Sequence, residues 1–233
     1  MKIEIWSDIY CPFCYIGEKH LQAALEKFPQ ADQIQVVYKS FELDPSLEKG
    51  QGWDTAAYVA KKYRITEDQA RKNYQGIEQA GKAVGLDMNF EKAIITNTFD
   101  GHRLIHWAAE NGRMQEMVDR LFKAHFEEGL DVGDFQVLAT LAAEIGLDAK
   151  EALEMLESER FSDQVKEDQE EGYALGVTSV PYFVFNRKLA VTGAQPSQVF
   201  EEAIESAFGL QKGIKTIGSD QGMVCGPDGC RLQ

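Results

Sequence analysis

No apolar run in this sequence approaches the ~20 residues a helix needs to cross a bilayer. The apolar stretch nearest the N-terminus, Ile3 to Trp6, is short and carries Glu4, too little for the core of a secretory signal. Positive charge is scarce as well. The 24 Lys and Arg stand against 38 Asp and Glu, a net charge of −14, which argues against nucleic acid and anionic membrane as partners. Internal repeats and low-complexity tracts are missing. Cysteine is sparse, with four in 233 residues, and a chain of this length buries a core without help from disulfides or metals. The expected address is the cytoplasm. There, a cysteine pair reads as catalytic or metal-binding before it reads as a structural staple.

Two of the four cysteines fall in Cys11-Pro12-Phe13-Cys14, and the chain around them has a clear grammar. Lys2 to Ser7 predicts a strand. Cys11 to about Phe28 predicts a helix, with Leu21, Ala24, Leu25 and Phe28 at helical spacing. Pro12 suits a helix's first position, where its missing N–H removes no bond. The cysteines therefore sit on the first turn of a helix, where unpaired N–H groups and the macrodipole favour an anion. That placement predicts an accessible Cys11 with a thiol pKa below the free value of about 8.5. Cys14, three residues on, is in reach of a mixed disulfide formed at Cys11. A C-x-x-C pair can also form half of a zinc site, with Cys225 and Cys230 completing four thiolates.

Ile34 to Phe41, rich in β-branched and aromatic residues, predicts a second strand, parallel to the first through a right-handed crossover. From residue 52 to 176 helical signals take over. Thr66-Glu67-Asp68-Gln69 fits a capping box, and Gly85, Gly112, Gly129 and Gly146 fall where helices should stop. The acid-rich stretch Glu154 to Glu171 reads as a solvated helix face. Tyr182–Phe185 and Leu189–Thr192 flank Asn186-Arg187-Lys188 as a β-hairpin. Pro196 then opens a last helix, with Phe200, Ile204 and Phe208 on one face. Residues 211–233 read as a glycine-rich, weakly patterned tail holding Cys225-Gly226-Pro227-Asp228-Gly229-Cys230. The turn-forming residues inside it can bring its two thiols together. Two readings of them stand beside the lesser alternative of a zinc site shared with Cys11 and Cys14: a second redox pair, or thiols without function.

This order, β-α-β, helical insertion, β-β-α, with C-x-x-C at the first helix's start, resembles the thioredoxin fold of the DsbA-like superfamily. It is similar to the cytosolic branch that includes the FrnE-type proteins and the 2-hydroxychromene-2-carboxylate isomerases. Four motifs carry the resemblance: Ser7-Asp8 with Cys11-Pro12-Phe13-Cys14-Tyr15-Ile16-Gly17, Asn97 to Leu104, Gly176 to Phe183, and Gly193-Ala194-Gln195. Phe13 stands where this branch often has Trp and the periplasmic oxidants have His, which implies a weaker oxidant. Gly101 sits where Ala is common.

The resemblance implies an α/β thioredoxin-like domain at residues 1–51 and 177–210, an all-helical insertion at 52–176, and the tail. It implies a cis Val180–Pro181 bond facing the cysteines, with Pro181 joining Cys11 and Cys14 in the catalytic site. Val180, Asn97, His102 and Arg103 would bind substrate. His102 and His106, four apart, are compatible with a metal, but no third ligand accompanies them, and the same segment reads equally well as a solvated helix end. The implied activity is thiol–disulfide exchange on protein or small-molecule disulfides. No cofactor would be bound, and glutathione or another thiol would serve as co-substrate. A glutathione-dependent isomerase or transferase is the alternative, although that class and its kappa-type relatives usually carry Ser at the position of Cys11.

Overall fold

The computed structural model describes residues 1–50, 54–209, 215–217, 223–226 and 229–232, with the backbone alone at 208–209, 215–217, 223–225 and 229–232. The chain opens with β1 (Lys2–Ser7), α1 (Pro12–Lys27) and β2 (Gln35–Ser40). Seven helices follow: α2 (Thr55–Tyr63), α3 (Glu67–Lys82), α4 (Phe99–Glu110), α5 (Met114–Lys123), α6 (Phe135–Glu144), α7 (Ala149–Leu156) and α8 (Ser162–Ala174). Then come β3 (Tyr182–Phe185), β4 (Leu189–Thr192), α9 (Ser197–Gly209), β5 (Lys215–Ile217), β6 (Met223–Gly226) and β7 (Gly229–Leu232). The expected mixed α/β thioredoxin-like fold with a large helical insertion is what the chain adopts. No described helix is long and apolar enough to cross a membrane.

Two compact units divide the chain: Met1–Leu43 with Asp168–Gln233, and Asp44–Glu167. The first is built on a sheet of order β2-β1-β3-β4-β5. β1 pairs in parallel with β2 (Ile5 beside Tyr38) and antiparallel with β3 (Ile5 beside Phe183), as the crossover and hairpin required. Successive side chains of a strand point to opposite faces. The Ile5–Phe183 face lies under α1 and α9, where Phe183 meets Phe200 edge to face at 4.7 Å. On the other face, the Trp6 indole donates to the Asp168 carbonyl of α8 at 2.7 Å. Glu4 is buried in β1, an interior strand. Burial alone would raise its pKa, but Arg187, which binds both its oxygens, and Lys2 hold it below its ordinary value.

Two features of this unit differ from expectation. Asp168, in the stretch read as a solvated acidic face, is only 4 % exposed. Its carboxylate accepts from the Ser40 amide at 2.9 Å and from Lys39 at 2.6 Å. Charge density along a helix did not reveal that one carboxylate turns inward to cations and amides on a strand distant in sequence. The sheet also gains a strand in the region read as an unpatterned tail. Lys215-Thr216-Ile217 is short but β-branched, and it pairs in parallel with the edge of β4, Ala190 beside Thr216.

The second unit contains no strand among its described residues. Four of its helices, α2, α3, α6 and α7, begin on side-chain caps. Asp54 accepts from the Ala57 amide, Thr66 from Gln69, Asp134 from Gln136 and Val137, and Asp148 from Lys150 and Glu151. Each such cap contributes about 1 kcal/mol by satisfying an otherwise unpaired N–H. The four glycines expected to stop helices all have φ between 67° and 86°. Leu104, Met117, Leu121, Phe122, Leu138 and Leu141 form its core, and α5 runs on as a π-helical turn, Ala124–Glu128, that buries His125 and Phe126.

Candidate active site

Cys11 is the N-cap of α1, and Pro12 opens the helix. Asp8 sets this geometry. Its carbonyl accepts the Cys11 amide at 3.0 Å, while its carboxylate takes the Leu43 amide at 2.7 Å and the Tyr10 amide at 3.3 Å. One buried side chain thus joins the β1–α1 turn to the segment after β2. The Cys14 amide donates to the Cys11 carbonyl at 3.0 Å, so the two cysteines share one tight turn.

Opposite them, the Val180–Pro181 peptide bond is cis. The Cys11 thiol donates to the Val180 carbonyl with Sγ 3.8 Å from the oxygen. The Pro181 carbonyl accepts from the Gly193 amide at 2.8 Å, which anchors the loop to the end of β4. Gly17 lets α1 lie against this loop. A Cβ there would sit 3.2 Å from Pro181 Cγ, 3.2 Å from Phe183 Cζ and 3.3 Å from Ala194 Cα. Four sequence-derived site residues, Cys11, Cys14, Val180 and Pro181, therefore come together.

The expected exposure and low pKa of Cys11 are overturned. Cys11 is 0 % exposed and Cys14 2 %. Burial pushes the Cys11 thiol well above its ordinary range, and Cys14 and the Asp8 charge push the same way. The helix terminus does favour a thiolate, but it acts here on a group removed from water, and loss of hydration outweighs it. Because the protonated form is favoured, carboxymethylation of Cys11 in the reduced protein should keep rising with pH above about 10, where a free thiol of pKa about 8.5 has levelled off. Rates followed at Cys11 by fragment-resolved mass spectrometry check this; a plateau near pH 7 would contradict it.

Asn97, His102 and Arg103 lie in the second unit. The Asn97 side chain accepts the Phe99 amide at 2.9 Å and so caps the entry to α4. His102 is 3 % exposed, and His106 stacks on Phe161. Arg103, also 3 % exposed, is occupied inside its own unit. Its guanidinium pairs with Asp100 at 2.6 Å and donates to the carbonyls of Met155, Leu156, Ser158 and Arg160. An arginine that closes off a helix end in this way resembles a substrate-binding arginine in sequence, because the carbonyls it binds lie more than fifty residues away. Arg103→Ala should destabilise the protein by about 3 kcal/mol, since it leaves the buried Asp100 carboxylate with Lys49 as its remaining cation and strands several carbonyls. A denaturation midpoint within experimental error of wild type would refute that role.

The side chains of Cys225 and Cys230 lie outside the described residues, but the backbone register of β6 and β7 sets the two residues opposite one another. In the sequence, Asp8 and Gly17 stand out only as parts of a motif; an Asp in a strand-to-helix turn and a glycine within a predicted helix are the signals that mark them.

A family model for the DSBA-like thioredoxin domain matches residues 2–205. Among solved structures, the "probable DsbA oxidoreductase SCO1869" from Streptomyces coelicolor is similar with a TM-score of 0.86 and 36 % identity, over 100 % of this chain and 99 % of its own. A 2-hydroxychromene-2-carboxylate isomerase shares the fold at a TM-score of 0.65 and 15 % identity, over 90 % of this chain and 95 % of its own. YwbO of Bacillus subtilis (strain 168), an uncharacterised protein, is 28 % identical over 209 residues, 88 % of this chain and 96 % of its own. The paired cysteines on the first turn of α1, the cis-proline opposite them and the extent of these matches lead to one assignment: the chain belongs to the DSBA-like thioredoxin domain family.

Proposed function

We propose that the protein is a dithiol–disulfide oxidoreductase of the FrnE-type branch, working in the reducing or isomerising direction in the cytoplasm. The observation that carries this is the Cys11–Cys14 turn set against the Val180 carbonyl and Pro181. Cys11, once deprotonated, attacks one sulfur of a substrate disulfide and the other sulfur leaves as a thiolate that takes up a proton. Cys14 then attacks Cys11 Sγ and expels the second substrate thiol. Two electrons pass to the substrate and a Cys11–Cys14 disulfide remains. Two molecules of glutathione, or another thiol, restore the dithiol and leave as their own disulfide. The direction follows from the thiol's environment. A strong oxidant is one whose reduced form is stabilised as a thiolate, and burial at Cys11 removes that stabilisation.

Cys225 and Cys230 are proposed as a second dithiol that exchanges electrons with this pair. Opposed residues of a hairpin are about 4.5–5.5 Å apart at Cα, within the range a disulfide spans. Capture of a disulfide between Cys11 and either tail cysteine in the Cys14→Ser variant supports this relay; its absence under peroxide removes it.

The main reading is tested by glutathione-driven reduction of a protein disulfide. Wild type should turn over and Cys14→Ser should not. Undiminished turnover in Cys14→Ser would move the protein to the glutathione-dependent isomerase or transferase class, which needs one thiol at most.

A further inference from the structure

A thiol that attacks protein disulfides has to meet its substrate, yet Cys11 has no exposed surface. Within its own unit the site is bounded by the start of α1 and by the loop 178–181. A third element touches both α1 and this loop. β6 packs on α1, and at its end Gly226 lies against Thr178 and Ser179. A Cβ at Gly226 would sit 3.3 Å from the Thr178 carbonyl oxygen and 3.5 Å from Ser179 Cβ. Ser179 adjoins Val180, whose carbonyl holds the Cys11 thiol. The β6–β7 hairpin is thus an extended segment laid beside the loop that an extended disulfide substrate has to approach. It is tied to the domain by β5, which pairs with β4, and it includes no residue of the active pair.

We propose that the β6–β7 hairpin is a resident strap over the exchange site, occupying the place of the substrate's extended chain, and that it lifts before Cys11 reacts. This rests on the reading of Cys11 as the attacking thiol. The hairpin is suited to the task. Its strands pair with one another and not with the five-stranded sheet, so it can leave as a unit without breaking the ladder. Its contact at Gly226 is made by backbone, which has no side chain to anchor it. A peptide that offers a strand to the loop 178–180 replaces the strap's contacts as it displaces them. A small, featureless thiol reagent gains nothing of this kind and waits for spontaneous opening. Local openings of this type set the reactivity of buried groups.

Two experiments on the full-length chain test the strap. The first is alkylation of Cys11 by iodoacetamide at fixed pH, resolved from Cys14 and the tail thiols by fragment mass spectrometry. Gly226→Val places a branched side chain against the Thr178 carbonyl and should raise the Cys11 rate by about tenfold or more. Gly226→Ala should raise it less, and it serves if the valine variant does not fold. The second loads the Cys14→Ser variant, through a disulfide at Cys11, with a short cysteine-containing peptide. Amide hydrogen exchange in 223–226 should then accelerate while exchange in β1 stays as it was. Folded Gly226 variants that alkylate at the wild-type rate, or a loaded protein whose 223–226 amides keep their protection, would overturn the strap. If Cys11 becomes more reactive but neither wild type nor variant exchanges disulfides, the strap stands and the oxidoreductase reading fails.

Discussion

Replacing Cys11 with Ser is expected to reduce disulfide exchange to the uncatalysed level, whereas replacing Cys14 with Ser should stall it halfway. With glutathione disulfide as oxidant, Cys11→Ser should form no adduct at the C-x-x-C motif. Cys14→Ser should accumulate a long-lived glutathione adduct at Cys11, because attack survives and resolution does not. The asymmetry follows from position. Cys11 caps the helix and its thiol meets the Val180 carbonyl, at the place where a substrate strand would arrive. Cys14 lies one turn further in, bonded through its amide to the Cys11 carbonyl and placed to reach only Cys11. Peptide-resolved mass spectrometry separates the motif from Cys225 and Cys230. An adduct at Cys14 in the Cys11→Ser protein, formed as fast as in wild type, would reverse the assignment.

Gly17→Val is expected to damage both the fold and the site. In an exposed mid-helix position, exchanging Gly for a residue with a Cβ gains helix propensity, about 1 kcal/mol for Ala. Here the new side chain meets Pro181, Phe183 and the Ala194 backbone at 3.2–3.3 Å before its branches are counted. Phe183 is fully buried against Phe200 and cannot yield. Overpacking of this kind costs about 1–3 kcal/mol, and the movement that relieves it separates α1 from the loop bearing Val180. The variant should show a lower denaturation midpoint together with slower thiol–disulfide exchange. A Gly17→Val protein as stable as wild type would mean that α1 does not bear on the proline loop as closely as described.

The parts of the fold that follow local rules were legible in the sequence. β1 begins at Lys2 and ends at Ser7, the hairpin strands are Tyr182–Phe185 and Leu189–Thr192, and Thr66 caps α3 through Gln69, each where pattern and turn chemistry put it. The cis bond before Pro181 was legible only through resemblance, since nothing in the local sequence distinguishes it from a trans proline opening a strand. What escaped depends on long-range packing. Asp168 turns inward because Lys39 and the Ser40 amide wait for it well over a hundred residues away. Arg103 is occupied by carbonyls more than fifty residues further along the chain. Cys11 kept the helix-terminal place that the motif assigned to it but lost the solvent that the same motif suggested. A helix start announces itself in three or four residues, whereas its burial depends on loops and strands that arrive from the other end of the chain.

The most direct test of the account is equilibration of the protein with glutathione and glutathione disulfide over a range of ratios, with the Cys11–Cys14 state read by fragment-resolved mass spectrometry. The account predicts one reversible two-electron transition between a dithiol and a Cys11–Cys14 disulfide, with a midpoint well to the reducing side of the about −120 mV of a strong oxidant such as DsbA. Cys11 and Cys14 that remain thiols at every ratio, or that yield glutathione adducts and never a disulfide with each other, would contradict it.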